Sequence, residues 1–260
     1  MPNLLEAADV TFAYGESPAL RGVGVTLSAG QIAVLIGPNG SGKSTLLLAL
    51  LGHLPAQGKI EWDGLPVRRH RRKDLARLVA YLPQSPRHEP GQTVLDVLRL
   101  GRAAYWGAFG FESPQDESAV HEVAKMLELD DLLDRPLDRM SGGQRQRVMI
   151  GRCLAQQPKA LLLDEPTTYL DSKHQVDLSQ LLRGLAKEKN LAVLMASHEL
   201  NVAASAADHL TLLNSGAVAA AGTPDEVLRP EILSPVYGVS IQRFDGATGP
   251  IVVPMSDQRK

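Results

Sequence analysis

Nine residues, Gly37-Pro38-Asn39-Gly40-Ser41-Gly42-Lys43-Ser44-Thr45, follow the pattern G-x4-G-K-[ST]. Glycines at 37, 40 and 42 let backbone N–H groups, those of Asn39 and Ser41 among them, curl around a phosphate. A helix starting at the end of the loop adds positive partial charge there. Lys43 is placed to reach the β- and γ-phosphates of ATP, Ser44 to ligate Mg²⁺, and Thr45 to touch the α-phosphate.

About 120 residues later the chain reads Ala160-Leu161-Leu162-Leu163-Asp164-Glu165, an apolar run closed by two acids. Acids often end strands, so the pair means little alone. After a phosphate-binding loop it acquires roles: Asp164 holds Mg²⁺ through its water shell, and Glu165 orients or deprotonates the attacking water. Phosphoryl transfer depends on such positioning more than on covalent chemistry. A third candidate, Ser141-Gly142-Gly143-Gln144, opens an expected helix over Arg145–Ala155. It reads either as an N-cap with a tight turn or as an anion site at a helix N-terminus.

These groups need elements to hold them. Val10–Tyr14 and Val23–Leu27 read as strands. Ile32–Ile36, directly before the loop, is short, wholly apolar and β-branched, as a strand buried on both faces should be. The loop leads into a helix over Ser44–Leu51. Lys59–Trp62 and Leu65–Val67 flank Asp63-Gly64 as a hairpin. From about Ser85 to Pro158 the pattern becomes helical, at Val94–Leu100 and Val120–Leu129, with irregular pieces between. Strand and helix then alternate: Ala160–Leu163, Lys173–Glu188, Ala192–Ala196, Leu200–Ala207, Leu210–Leu213. After Asn214-Ser215-Gly216 a last strand covers Ala217–Ala221. Such alternation predicts a parallel sheet covered by helices. The tail from Val239 reads as short, turn-rich and peripheral. The basic run Arg68-Arg69-His70-Arg71-Arg72-Lys73 reads as a solvated loop, with an acidic-lipid or partner contact as the alternative.

Composition fits this picture. The chain has 260 residues, 44% hydrophobic and 22% charged, enough for a globular core. Its net charge of −2 argues against nucleic acid as a partner. The single cysteine, Cys153, allows no internal disulfide and suits a reducing compartment. Glu6 and Asp9 interrupt the apolar stretch a secretory signal would need. No run approaches the ~20 apolar residues that span a bilayer, so a soluble protein that docks on something else is expected.

Taken together, these motifs resemble the nucleotide-binding subunits of ATP-binding cassette (ABC) proteins, over nearly the whole chain. Met140-Ser141-Gly142-Gly143-Gln144 is similar to the family signature, with Met where Leu is usual. The resemblance implies an α/β fold: a P-loop NTPase (RecA-like) core at 1–84 and 159–240 with an antiparallel β edge, an inserted helical subdomain at 85–158, and a tail at 241–260. It also implies a homodimer in which the signature caps the γ-phosphate held by the opposite subunit. Gln84, after Ala80-Tyr81-Leu82-Pro83, matches the Q-loop, which senses Mg²⁺ and joins the core to the insertion. His198 matches the switch histidine that contacts the γ-phosphate; Glu199 follows it where Asp is more usual. Asp171, in Thr168-Tyr169-Leu170-Asp171, matches the D-loop that crosses the dimer interface. Tyr14 matches the aromatic that stacks on adenine, the alternative being a core tyrosine.

Within the family, Glu165–Asp171 with His174-Gln175-Val176-Asp177-Leu178 looks like the ATPases of iron-chelate importers. Val236-Tyr237-Gly238-Val239 and Gly249-Pro250-Ile251-Val252-Val253-Pro254 are similar too. That group serves siderophore, haem and cobalamin uptake. Leu100-Gly101-Arg102 keeps its Gly-Arg but departs directly afterwards, at Ala103-Ala104, where Pro-His is common. The resemblance implies permease subunits, an extracytoplasmic binding protein and a peripheral place on the cytoplasmic face of the membrane. The alternative is a soluble non-transport ABC ATPase, such as an iron–sulphur cluster assembly factor.

Overall fold

The structure is a computed structural model that describes residues 3–107, 110–168, 170–246 and 249–255. Tyr169 of the D-loop match and residues 256–260 of the tail lie outside the described residues.

Along the chain, β1 (Asn3–Tyr14) and β2 (Ser17–Ser28) form an antiparallel pair, then β3 (Ile32–Ile36) leads through the glycine loop into α1 (Lys43–Leu50). The hairpin β4 (Gln57–Trp62) and β5 (Leu65–Pro66) follows, turning at Asp63 (φ 51°) and Gly64 (φ 74°). Two left-handed residues are what a two-residue hairpin turn of this hand requires. β1 and β2 begin earlier than the alternation suggests. Register shifts between Ala7 and Val10, with Asp9 at φ 52°, break the period-2 pattern without ending the strand. The sheet order is β2-β1-β4-β5.

The basic run is exposed, as expected, apart from half-buried His70, but it is not all loop. Val67–Arg69 forms a 3₁₀ turn, and α2 (Arg72–Leu78) starts within the run and ends at β6 (Val79–Leu82). Arg68 donates to the Ala56 carbonyl and Lys73 to that of Trp106, so part of the run is anchored to the backbone.

Three helices follow: α3 (Val94–Leu100), α4 (Pro114–Met126) and α5 (Gly142–Ala155). Each opens on a capping box, Thr93 with Asp96, Ser113 with Asp116, Ser141 with Gln144. The Ser113 cap and Pro114 start α4 six residues before the expected Val120. Arg102 and Asp116 pair at 2.8 Å, nearly fully buried, and Arg102 also donates to the Ala155 carbonyl at 2.7 Å. That node fixes the α3–α4 connection to the end of α5.

The remaining elements are β7 (Ala160–Asp164), α6 (Ser172–Lys189), β8 (Ala192–Ala196), α7 (Leu200–Ala206), β9 (His209–Asn214), β10 (Ala217–Gly222), α8 (Pro224–Val227), α9 (Pro230–Tyr237), β11 (Ser240–Gly246) and β12 (Gly249–Met255). The tail is therefore a hairpin, not a turn-rich string. It is tied down where Asn201 of α7 exchanges hydrogen bonds with the Val252 backbone at 2.9 and 3.2 Å.

The second sheet runs β10-β9-β3-β8-β7-β6, all parallel except β10 on β9. Every residue of β3, β7 and β8 is buried. Alternate side chains feed two cores: Ile32, Val34 and Ile36 pack with α3 to α7, while Ala33 and Leu35 pack with α1 and the antiparallel sheet. A parallel sheet with both faces covered presents its chemistry at the carboxyl ends of its strands. Those ends carry Gly37, Gln84, Asp164 and His198.

Candidate active site

The loop after β3 is shaped by its glycines. Gly37 lies at φ 147°, and a Cβ there would sit 2.2 Å from the Leu213 carbonyl oxygen. The turn can close over β9 only with no side chain at 37. Lys43, 5% exposed, donates from Nζ to the carbonyls of Gly37 at 2.8 Å and Pro38 at 3.2 Å. Burial lowers its pKa, and the nearby charges of Glu165 and Asp164 oppose that shift. The buried hydroxyl of Ser41 has no hydrogen-bond partner among the described residues.

Ser44 Oγ donates to Asp164 Oδ1 at 2.9 Å, although 120 residues separate them. Tyr81 donates to Asp164 Oδ2 at 3.4 Å. Burial raises the Asp164 pKa; the Ser44 hydrogen bond pulls it back, and the charge on Glu165 raises it again. Burial, then Asp164, hold the Tyr81 phenol far above its usual range.

Glu165 follows with a left-handed backbone, φ 48°, and its N–H is anchored on the Ala196 carbonyl of β8 at 3.0 Å. A non-glycine residue in this region is uncommon, and such strain clusters at functional sites. It turns the carboxylate back over the strand ends. There Oε2 receives Gln84 Nε2 at 2.8 Å and Thr168 Oγ1 at 3.3 Å, with His198 Nδ1 also at 3.3 Å. Oε1 accepts no hydrogen bond from the described residues.

The structure thus brings Lys43, Ser44, Gln84, Asp164, Glu165 and His198 into one cluster. Ser141, Gly142, Gly143 and Gln144 stand apart, and among the described residues no hydrogen bond joins them to the glycine loop. Ser141 Oγ caps α5 by accepting the Gln144 N–H at 3.2 Å, and its own N–H meets Gln144 Oε1 at 3.1 Å. Asp171 caps α6 through the His174 N–H at 2.9 Å. Tyr14 is 54% exposed, its ring packed edge to face with that of Phe12, so it is not a core tyrosine. Sequence reasoning missed Tyr81 and Thr168. Tyr81 was visible as the one polar-tipped side chain in an otherwise apolar strand.

Both ligands of the expected chemistry suit this donor set. One hydroxyl and one carboxylate, both hard oxygen donors, match the sparse protein ligation of Mg²⁺. Among the described residues no group of three or more His, Cys, Asp or Glu could form an all-protein metal cage. The glycine-rich cradle and buried lysine suit phosphate.

A buried parallel strand opening into G-x4-G-K-[ST], with an Asp-Glu pair two strands away, defines a P-loop NTPase. Residues 20–168 match the family model described as ABC transporter. The chain is 41% identical to the hemin import ATP-binding protein of Streptomyces coelicolor, over 93% of this chain and 85% of that one. It is 36% identical to the ferric enterobactin transport ATP-binding protein of Escherichia coli, over 96% and 94%. Among solved structures, a transporter described as of the metal-chelate type, in an inward-facing conformation, superposes with a TM-score of 0.86 at 28% identity, covering 98% of this chain and 99% of that one. A dimeric bacterial ABC transporter cassette gives 0.74 at 29% identity, covering 85% and 98%. The chain belongs to the ABC transporter ATP-binding family: it binds ATP and is an ATPase. Among the described residues no helix is long and apolar enough to cross a membrane.

Proposed function

We propose that this chain energises import of an iron chelate (a siderophore complex, haem or a related metal chelate such as cobalamin) by hydrolysing ATP on the cytoplasmic face of a membrane. It works there as a homodimer against separate permease subunits, supplied by an extracytoplasmic binding protein. The names of the relatives and of the chelate-type transporter support transport over a non-transport ABC ATPase.

One observation carries the catalytic part: Gln84, Thr168 and His198 converge on Glu165 Oε2 and leave Oε1 without a partner among the described residues. Oε1 is then the oxygen that orients the attacking water and takes its proton. Lys43 moves from the loop carbonyls to the β- and γ-phosphates. Backbone N–H groups of Gly37, Asn39, Gly40, Ser41 and Gly42 surround the β-phosphate, Thr45 meets the α-phosphate, and Tyr14 stacks on adenine. Ser44, Asp164 and Gln84 hold Mg²⁺, which when bound neutralises charge on the phosphate oxygens. His198 contacts the γ-phosphate. Ser141, Gly142, Gly143 and Gln144 of a second copy cap it from the far side, and Asp171 crosses the interface. Their separation from the loop within one chain supports that two-copy reading, under which an isolated monomer binds nucleotide and turns it over poorly.

Residues 85–158 act as a helical subdomain on a core of 1–84 and 159–240, with 241–260 as a tail. Gln146 Nε2 on the Pro166 carbonyl at 2.8 Å joins the two. Purification from membranes tests the whole proposal. A multi-spanning permease should co-purify, and the reconstituted complex with its binding protein should take up a ferric chelate. Loss of uptake with Glu165→Gln is expected; a soluble complex without permease would overturn the transport reading.

A further inference from the structure

The loop after β8 is held at both sides of His198. Ser197, buried, donates its N–H to the Leu35 carbonyl at 2.9 Å, and the Glu199 N–H donates to Ser197 Oγ at 3.0 Å. The Glu199 carboxylate is half-buried and pairs with no cation among the described residues. Its side-chain partner is an amide: Gln175 Nε2 lies 2.9 Å from Oε1 and 3.1 Å from Oε2. A half-buried carboxylate without a cation is held in place by such a donor. The same amide reaches the Leu170 carbonyl at 3.3 Å. Its two N–H hydrogens suffice for both tasks.

Gln175 lies in the first turn of α6. Asp171 sets where that turn begins by accepting the His174 N–H, and His174 Nδ1 sits 2.7 Å from the same oxygen. The His174 ring lies against the signature segment: a Cβ on Gly143 would meet its Cδ2 at 2.6 Å. One helical turn therefore touches three segments, those of Leu170-Asp171, Gly143 and Glu199.

We propose that Gln175 is a positioning residue for His198. It registers the Leu170-Asp171 segment against the histidine loop, so that displacement of one is transmitted to the other. This rests on the reading that His198 acts on the nucleotide. Gln175 itself touches no reacting group, so its removal should slow turnover without weakening nucleotide binding.

The test is steady-state ATP hydrolysis by the full-length chain, assembled as above, with thermal unfolding measured in parallel. Gln175→Ala should lower kcat about tenfold with the KM for ATP within about twofold. Glu199→Ala should match it, and the double variant should be no worse than either single, because the two side chains act as one unit. Glu199→Gln keeps an oxygen acceptor for the amide and should retain kcat within about threefold. An unchanged kcat in Gln175→Ala, a fall that appears equally in KM, or additive losses in the double variant would each overturn the proposal. His198→Ala separates the two levels. If that variant keeps parental turnover, the underlying reading of His198 fails. If it loses turnover while Gln175→Ala does not, only the positioning role fails.

Discussion

Ser44 Oγ and Asp164 Oδ1 satisfy each other directly at 2.9 Å, one from the first turn of α1 and the other from the end of β7. The carboxylate nevertheless carries a burial penalty, because its pKa stands above the ordinary 3.8 despite that hydrogen bond.

Asp164→Asn should therefore stabilise the nucleotide-free chain at pH 7, by about 1 kcal/mol or some 2–4 °C in Tm. Above the raised folded pKa both states are ionised, and the parent bears the full cost. As the pH falls through that value towards 3.8, the folded carboxyl takes up its proton before the unfolded one and the cost is relieved. The variant's advantage should be complete above the folded value and vanish towards 3.8. Thermal unfolding of both proteins across that range checks it. With Mg²⁺ and ATP the order should invert.

Glu165→Gln should keep ATP binding, lower kcat by about a thousandfold or more, and accumulate a nucleotide-bound dimer. Hydrolysis assays and size-exclusion chromatography with ATP read both effects. Turnover at the parental rate would remove Glu165 from its role.

Lys43→Ala and Ser141→Arg should each be inactive alone. Mixed in equal amounts they should recover about a quarter of parental activity, because a two-fold dimer of unlike chains rebuilds one intact site. Mixtures as dead as the separate variants would mean that both residues serve the same copy's nucleotide.

Gly37→Ala should cost at least about 3 kcal/mol of folding stability, since its methyl would meet the Leu213 carbonyl oxygen at 2.2 Å. Gly40→Ala should cost only about 1–2 kcal/mol, because φ is 78° but nothing lies within 4 Å of the new methyl. Its larger effect should be on nucleotide affinity. Chemical denaturation and ATP titration separate the pair.

Tyr14→Ala should weaken ATP binding by about 1–3 kcal/mol, the worth of one stacked base. With the ring 54% exposed, stability should change by less than about 1 kcal/mol. Tyr14→Phe should bind almost normally. Fluorescent nucleotide titration distinguishes the three proteins.

The strands that hold the site were the most legible part of the sequence. Ile32–Ile36 and Ala192–Ala196 fall where continuous apolar runs put them, because burial on both faces leaves no polar residue to blur their ends. The antiparallel strands were legible only in part, since a bulge at Asp9 shifts the alternation. Helices α8 and α9 and the tail hairpin escaped because their short lengths leave little periodicity to read. In the site, motif residues were readable because backbone geometry and phosphate chemistry restrict their types. Gln175 was not, because it matters only through Glu199, 24 residues further on. Thr168 was not, although only three residues from Glu165, because a turn must aim its hydroxyl back. Tyr81 stood out in its apolar strand, but its partner Asp164 lies 83 residues away.

The grip of Lys43 on Gly37 and Pro38 bears on how a cycle ends. In the proposed site, an amine that releases a phosphate would have two carbonyls of its own loop to fall back on. Under that reading the internal refuge would lower the free energy of the nucleotide-free protein and so weaken its hold on ADP. A loop that furnishes its own substitute ligand would thereby favour product release, the slow step of many enzymes.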